Sequence, residues 1–402
     1  MSTKAELEKV HRLREQLPAV DTTGYFNSGT NGPLPRVVHE TILKTAEEEF
    51  QRGRIVPGVF QGHEARNDRA RELLARLLGG SPAEYALTQS TNDGLNIAFN
   101  GLDWERGDEI VTTSLEHPTM FMPMVLLSHR QGVRIRVAEL GDGGGDVVAA
   151  LEALVNRRTR VIALSHVLWS SGVILDLAAI SAMAHQHGIL VIVDGAQSIG
   201  QAVVDIPSTG ADAYTISGQK WLCGPEGTGA LFIRSDRQAE FAPSSVRYGQ
   251  FDPAGFFIPP AGGRRYEMGE NNPAAVEGFC AALTFNLEEV GLEWSAARAK
   301  ALGTRFHSAI SQAAGVVVAT PKGRHGGLVC FNVSNMEPAG VADALYAKGF
   351  TIRYVTSPPG PQVARASIGW WNTEEEVDAL ADAIRSLASA AAPATSASAP
   401  AV

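Results

Sequence analysis

Two neighbouring stretches, I-L-V-I-V-D-G-A-Q-S (189–198) and A-Y-T-I-S-G-Q-K-W-L-C-G-P-E-G-T-G-A-L-F-I-R (213–234), decide how this chain is read. Each opens on a short apolar run with bulky residues on both faces, as in strands covered by helices on either side. The first run ends on Asp194 and the second leads into Lys220. In an open parallel sheet, ligands collect beyond the carboxyl ends of the strands, so both residues fall where chemistry is expected. An ionised Asp is costly there unless a cation sits against it; a helix cap or an Arg partner is the competing explanation. A lysine held between small residues and an aromatic loses part of its preference for the charged form and becomes a nucleophile toward aldehydes. A lone lysine after a strand is usually solvated, so Lys220 gains weight only from its neighbours.

Similar apolar runs occur at 108–113 (DEIVTT), 133–138 (VRIRVA) and 161–165 (VIALS). They alternate with helix-like segments such as 177–187 (LAAISAMAHQH), closed by Gly188. The alternation predicts an α/β fold with a mainly parallel sheet. After residue 272 the pattern changes to a long helical segment, 273–302, then strand-like VVVAT (316–320), LVCFNV (328–333) and FTIRYV (350–355), and a last helix at 374–388. The expected organisation is an N-terminal helical arm (1–24), a large domain (25–272), a small C-terminal α/β domain (273–389) and a low-complexity Ala/Pro/Ser tail (390–402) that does not order itself.

At 402 residues, with 45% hydrophobic and 19% charged, the chain has the composition of a soluble protein large enough for two domains. The formal net charge of -9 and the lack of a Lys/Arg block argue against nucleic acid as a partner. Cys223, Cys280 and Cys330 are widely spaced and odd in number, so neither a disulfide framework nor a metal site is indicated, and a reducing cytoplasm fits best. The charged N-terminus lacks the apolar run of a secretory signal, and no stretch is long and apolar enough to predict a membrane span.

The pair D-G-A-Q-S and S-G-x-K-W-x-x-G-P-x-G-x-G resembles the aminotransferase class V family of fold-type I enzymes that use pyridoxal 5'-phosphate (PLP). The likeness extends, in family order, through S-T-N-D-G-L-N (90–96), S-L-E-H-P (114–118), S-H-V-L-W-S-S-G (165–172) and R-A-S-I-G-W-W-N-T-E-E-E-V (365–377). It therefore implies the fold-type I architecture, with a mainly parallel seven-stranded type of sheet, and PLP as cofactor.

The resemblance also assigns roles. Lys220 corresponds to the Schiff-base lysine and proton shuttle, and Asp194 to the residue that keeps the pyridine nitrogen protonated. His117 corresponds to the imidazole stacked on the ring, and Gln197 to the donor at the phenolic oxygen. His166 stands where relatives have an Asn near that same oxygen. Thr91 and Asn92, at a helix start, together with Ser217 and Gln219, match the phosphate cradle. Arg365 matches the arginine that grips the substrate carboxylate. Asn27 is expected at the substrate, and Arg353 is either a second anion contact or a structural ion pair. Where relatives place a small hydroxyl residue to reach the phosphate of the opposite subunit, this chain has Glu270, which would repel it, and Asn271 or Asn272 is left to serve.

Desulfurases of this family carry a mobile cysteine just before the carboxylate-binding arginine, but the loop 354–365 here (YVTSPPGPQVAR) contains none. The segments 25–35 (YFNSGTNGPLP) and 165–177 (SHVLWSSGVILDL) look most similar to the cysteine/cystine C–S lyases of the family. The expected reaction is α,β-elimination on cysteine, cystine or an S-substituted cysteine or its sulfoxide, giving pyruvate and ammonia. The alternatives are an epimerase resembling isopenicillin N epimerase, other class V chemistry, or an idle cofactor-binding protein. The resemblance further implies a homodimer with shared sites, whose small-molecule substrate is an amino acid.

Overall fold

A computed structural model describes residues 4–245, 254–255, 257–269, 271–355 and 361–391. Glu270, the middle of the 354–365 loop and the tail from 392 onward lie outside the described residues. In chain order the strands are β1 Gly24–Tyr25, β2 Tyr85–Thr88, β3 Glu109–Thr113, β4 Arg134–Ala138, β5 Thr159–Ser165, β6 Leu190–Asp194, β7 Ala213–Ser217, β8 Gly229–Ile233, β9 Val316–Val318, β10 Leu328–Val333, β11 Phe350–Thr351, β12 Arg353–Val355 and β13 Val363–Ser367.

Seven of them form one sheet in the order β2-β8-β7-β6-β5-β3-β4, in which only β8 runs against the rest. Every residue of β3, β6 and β7 is buried, as the unbroken apolar runs predict for strands covered on both faces. One face packs Leu74, Ile162, Val191, Val193 and Phe232, while the other packs Leu95, Phe99, Ile110, Ile192 and Leu231. Because neighbouring strands β3, β5, β6 and β7 point the same way, their carboxyl ends deliver residues 114–118, 165–171, 194–198 and 217–221 to one edge of the sheet.

A second, antiparallel sheet, β12-β13-β10-β9, is backed by helices Leu292–Ser311, Pro338–Tyr346 and Glu374–Ala391 around Phe306, Phe331, Ile368 and Ile384. The single helix expected over 273–302 is two. Helix Pro273–Phe285 ends in a wide π turn, Asn286–Val290, and a new helix starts after Gly291. Gly291 has φ 79°, which a side chain would resist, and Asn286 donates to the carbonyls of Leu222 (2.9 Å) and Ala282 (2.8 Å). The first of these helices packs on helices Arg36–Arg52 and Val59–Leu78, inside the core of the larger sheet, although it lies past the boundary expected at 272. The last helix continues to Ala391, beyond the expected start of the tail at 390. FTIRYV is likewise divided: β11 pairs in parallel with β1, and β12 pairs with β13.

The N-terminal residues join the two sheets. Helix Lys4–Arg14 docks through Leu13 on Trp370 and Trp371, and Arg14 donates to the Trp371 carbonyl (2.5 Å) and to Glu376 (2.8 Å). The large-domain loop 166–175 meets the second sheet at Gly172, where φ is 76° and an added Cβ would lie 2.3 Å from the Leu328 carbonyl oxygen. Gly172→Ala is therefore expected to destabilise the protein by about 1–3 kcal/mol, read as a lower denaturant midpoint; an unchanged midpoint would contradict this packing.

Candidate active site

His117, Ser165, Val167, Trp169, Asp194, Ala196, Gln197 and Lys220 line one cavity at the carboxyl edge of the large sheet. A wider cleft elsewhere, between Asp146, Asp176, Lys300 and Arg324, contains none of the residues expected to do chemistry.

Asp194 is the last residue of β6 and is buried, with Oδ1 accepting from the Ala196 amide (2.8 Å). Burial raises its pKa, against the pull of Lys220 and of that amide. No ion pair reaches it among the described residues, so it has room for a cationic partner. Lys220 follows β7 and shares the cavity, where burial brings its amine down to about 8; Asp194 acts upward on it and Arg365 downward.

His117 caps helix Pro118–Gln131. Its Nδ1 accepts from the Thr119 amide (3.2 Å) and lies 2.7 Å from Thr119 Oγ1, which leaves the ring proton on Nε2. Trp169 meets the imidazole edge-on at 4.3 Å. Burial first, then the charges of Lys220, Arg365 and Arg353, push His117 down to about 3, so the ring is neutral at physiological pH.

Gln197 is held on both sides of its amide: Nε2 donates to the Gly29 carbonyl (2.7 Å) and Oε1 accepts from Trp221 Nε1 (2.9 Å). One Nε2 hydrogen is left to donate elsewhere. Helix Thr91–Asn100 is capped by Ser90, whose Oγ accepts from Asp93 N (3.2 Å), so its first-turn amides at Thr91 and Asn92 point outward. Thr91 is buried and Asn92 exposed, and Gly94 lets this helix close on Thr215 of β7. Past the end of that strand, Ser217 Oγ donates to Gln219 Oε1 (2.7 Å), leaving the Gln219 amide nitrogen as the outward donor.

His166 is not part of this cavity. Strand alternation sends Ser165 and Val167 inward and His166 to the other side, where its Nδ1 bonds Tyr214 Oη at 2.9 Å and Tyr214 in turn bonds Ser198 at 2.5 Å. Burial lowers its pKa to about 4. The expected contact with a cofactor oxygen is replaced by a role beneath the D-G-A-Q-S turn.

Arg365 lies in β13 and is buried, yet among the described residues it makes a single bond, Nη1 to the Trp169 carbonyl (3.3 Å), and its Nε has no partner. Burial brings its pKa down to about 10. Arg353 stands opposite it in β12, exposed and over the Tyr354 ring at 5.7 Å. Among the described residues neither arginine has a carboxylate partner. Like charges facing each other across a ladder repel, so the pair leaves positive charge uncompensated here, and the structural ion pair considered for Arg353 is not made among the described residues.

Asn27 bridges to Ser367, two residues past Arg365, and its Oδ1 accepts from Thr30 Oγ1 (2.8 Å). At Gly29 an added Cβ would lie 2.7 Å from Ser367 Oγ and 3.0 Å from both Arg365 Nη2 and Gln197 Oε1. The absence of a side chain there lets Arg365 and Gln197 approach the same stretch of backbone.

Two residues of this region were not singled out by sequence. Trp169 carries a buried indole N–H without a partner. Glu116 is fully buried and accepts from Thr113 Oγ1 (2.7 Å), Ser165 N (2.9 Å) and Ser165 Oγ (2.5 Å). An acid directly after an apolar strand was its available signal, eclipsed by the adjacent histidine.

The residues fit PLP. A buried carboxylate without a counter-ion faces a depressed lysine, a neutral imidazole lies beside them, and an open helix start stands at the next strand.

The aminotransferase class-V family profile matches residues 25–380. A probable cysteine desulfurase of Methanothermobacter thermautotrophicus is 28% identical, over 94% of this chain and 97% of its own length. The isopenicillin N epimerase of Streptomyces clavuligerus is 30% identical, over 90% of this chain and 94% of its own. Among solved structures, the cystine C–S lyase C-DES in complex with its product cysteine persulfide superposes with a TM-score of 0.87 at 28% identity, covering 92% of this chain and 99% of C-DES. C-DES is also known with glycine covalently linked to its PLP cofactor, with a TM-score of 0.88 at 27% identity over 92% of this chain and 98% of that one. The chain thus belongs to the aminotransferase class-V family and is a PLP-dependent enzyme.

Proposed function

We propose that this enzyme is a carbon–sulfur lyase that removes the sulfur substituent of cysteine, cystine or an S-substituted cysteine by α,β-elimination, leaving pyruvate and ammonia. The observation that carries the proposal is the placement of the thiols. Cys223, Cys280 and Cys330 are all buried, burial raises the pKa of each, and none lines the cavity. Thiolates are the nucleophiles in sulfur transfer, so the residues present suit elimination better than a relay through a protein persulfide. The likeness to a cystine C–S lyase supports the same reading.

PLP, when bound, supplies an electron sink for negative charge at the substrate α-carbon. Asp194 would hold the ring nitrogen protonated, and Gln197 would donate to the phenolic oxygen. His117 would lie on the ring face, while the amides at Thr91 and Asn92, with Ser217 and Gln219, would hold the phosphate. Arg365 would grip the substrate carboxylate, with Asn27 on the neighbouring strand and Arg353 drawing in the anion. Lys220, with its pKa near 8, is in part unprotonated at neutral pH and takes the proton from the α-carbon. Loss of the sulfur group from the β-carbon completes the elimination, and hydrolysis of the unsaturated amine gives pyruvate and ammonia.

Epimerisation needs a second acid on the opposite ring face. His117, neutral and bonded through Nδ1, supplies none at physiological pH, and His166 is turned away.

We further infer a homodimer. Leu43, Phe50, Ile55 and Phe60 are exposed on helices Arg36–Arg52 and Val59–Leu78 and the turn between them, and Phe60 borders a groove that includes Met268 and Asn271. Asn272 is already occupied as the cap of helix Pro273–Phe285, whereas the Asn271 Nδ2 is buried without a partner among the described residues. Asn271 is therefore the residue left to reach the phosphate in a second copy.

Three outcomes test this. With cystine, cysteine and S-alkyl cysteines, the enzyme should yield pyruvate and a sulfur product, and replacing all three cysteines by serine should change that rate less than about threefold; a loss of a hundredfold or more would point to a persulfide relay. Reductive alkylation of cofactor-free protein, followed by mass spectrometry of the Lys220 peptide, should rise with a midpoint near pH 8. Asp194 favours the charged amine, so Asp194→Asn should move that midpoint lower. Sedimentation velocity should give a dimer that Phe60→Glu weakens, and a monomeric wild-type protein would refute the shared site.

A further inference from the structure

Glu116 takes no part in the chemistry above, yet its carboxylate is bonded to Ser165, which lines the cavity. The β5–β6 register pairs Ser165 with Asp194, and Glu116 accepts both the amide and the hydroxyl of Ser165. Glu116 is thus bonded to the residue that stands beside Asp194 on the neighbouring strand. The third donor, Thr113 Oγ1, comes from the end of β3. One amide and two hydroxyls donate to a group with no solvent access, an arrangement that favours the ionised form against the cost of burial. The next residue along the chain is His117.

We propose that Glu116 is a positioning residue of the cofactor site: its charge, held by Thr113 and Ser165, adds to that of Asp194 and strengthens retention of a cationic ring nitrogen. A single buried carboxylate beside a pyridinium leaves the proton shared between two sites of comparable appetite. A second negative charge behind the first biases that proton toward the ring. The bonds to Thr113 and Ser165 also keep the ends of β3 and β5 together, so His117 and Ser165 face the cavity from fixed positions.

The charged or titratable groups around Glu116 are few. Asp194 on β6 opposes its ionisation; Lys220, beyond Asp194 after β7, is cationic in part; His117, on its own segment, is neutral. Burial brings Glu116 up to about 7 against the pull of its hydroxyl and amide donors, with Asp194 adding to the rise. Its charge is present above that pH and is lost as pH falls through it. A bound cation favours the ionised form and so lowers the pH at which the charge disappears.

Glu116→Gln separates charge from staple. The amide oxygen can still accept from Ser165, and the amide nitrogen can donate to Thr113, whose hydroxyl then accepts. Equilibrium dialysis of the full-length holoenzyme should show PLP held on the order of tenfold more weakly in Glu116→Gln than in wild type at about pH 8. The ratio should approach one at about pH 5.5, where Glu116 is itself neutral. Thr113→Val removes one donor to the carboxylate, so the pH at which this difference opens should rise when Thr113→Val is compared with the Thr113→Val, Glu116→Gln double variant. Equal affinities at the higher pH, the same loss at both pH values, or an unmoved midpoint would each overturn the proposal. Because no substrate is present, these outcomes are independent of whether the enzyme is a lyase.

Discussion

The carboxylate of Asp194 closes a strand in which every residue is buried, and its requirement for a cation organises the rest of the structure. Water cannot solvate it there, and a single backbone amide satisfies only part of its capacity. The chain supplies Lys220 within the same cavity but makes no ion pair between them among the described residues. A group carrying a protonated nitrogen at one end and an electrophilic carbon at the other satisfies both side chains at once. The parallel direction of β3, β5, β6 and β7 follows from the same need, since it turns four loops toward one place.

The second sheet brings two arginines opposite each other across a β ladder, with no carboxylate partner for either among the described residues. Such an arrangement is tolerable because Arg353 is exposed and because Arg365 is partly relieved by the Trp169 carbonyl. Under the proposed function the tasks separate: the large sheet would hold the positive charge of a ring, and the small sheet the negative charge of a carboxylate. The contact between sheets at Gly172 and Leu328 sets how far apart those two charges are.

Much of the site was legible because its residues directly follow apolar strands. Asp194, Lys220 and His117 stand out as polar groups where burial is expected, and their short range from a strand end leaves little doubt about which edge they reach. His166 shows what that reasoning lacks. It also follows a strand, but alternation decides the side, and counting from Ser165, which pairs with Asp194, places 165 and 167 on the cavity and 166 behind it. Glu116 was hidden for a related reason, since its importance lies in hydroxyl partners on two different strands rather than in its immediate neighbours. The break at Gly291 left a trace in sequence, as glycine inside a helical pattern. The pairing of β1 with β11 left none, because two-residue strands carry no periodicity.

The N-terminal segment explains why the two charge-handling sheets act as one unit. Gly24 and Tyr25 pair with β11, Asn27 bridges to Ser367, and the Gly32 amide donates to the Gln219 carbonyl (2.8 Å). Between these points Gly29 accepts from Gln197 while lying close to Arg365 and Ser367. Through the turn at 28–30, the segment that pairs with the small sheet is tied to Gln197 and to the loop that carries Lys220. Packing of this kind has discrete arrangements rather than continuous play.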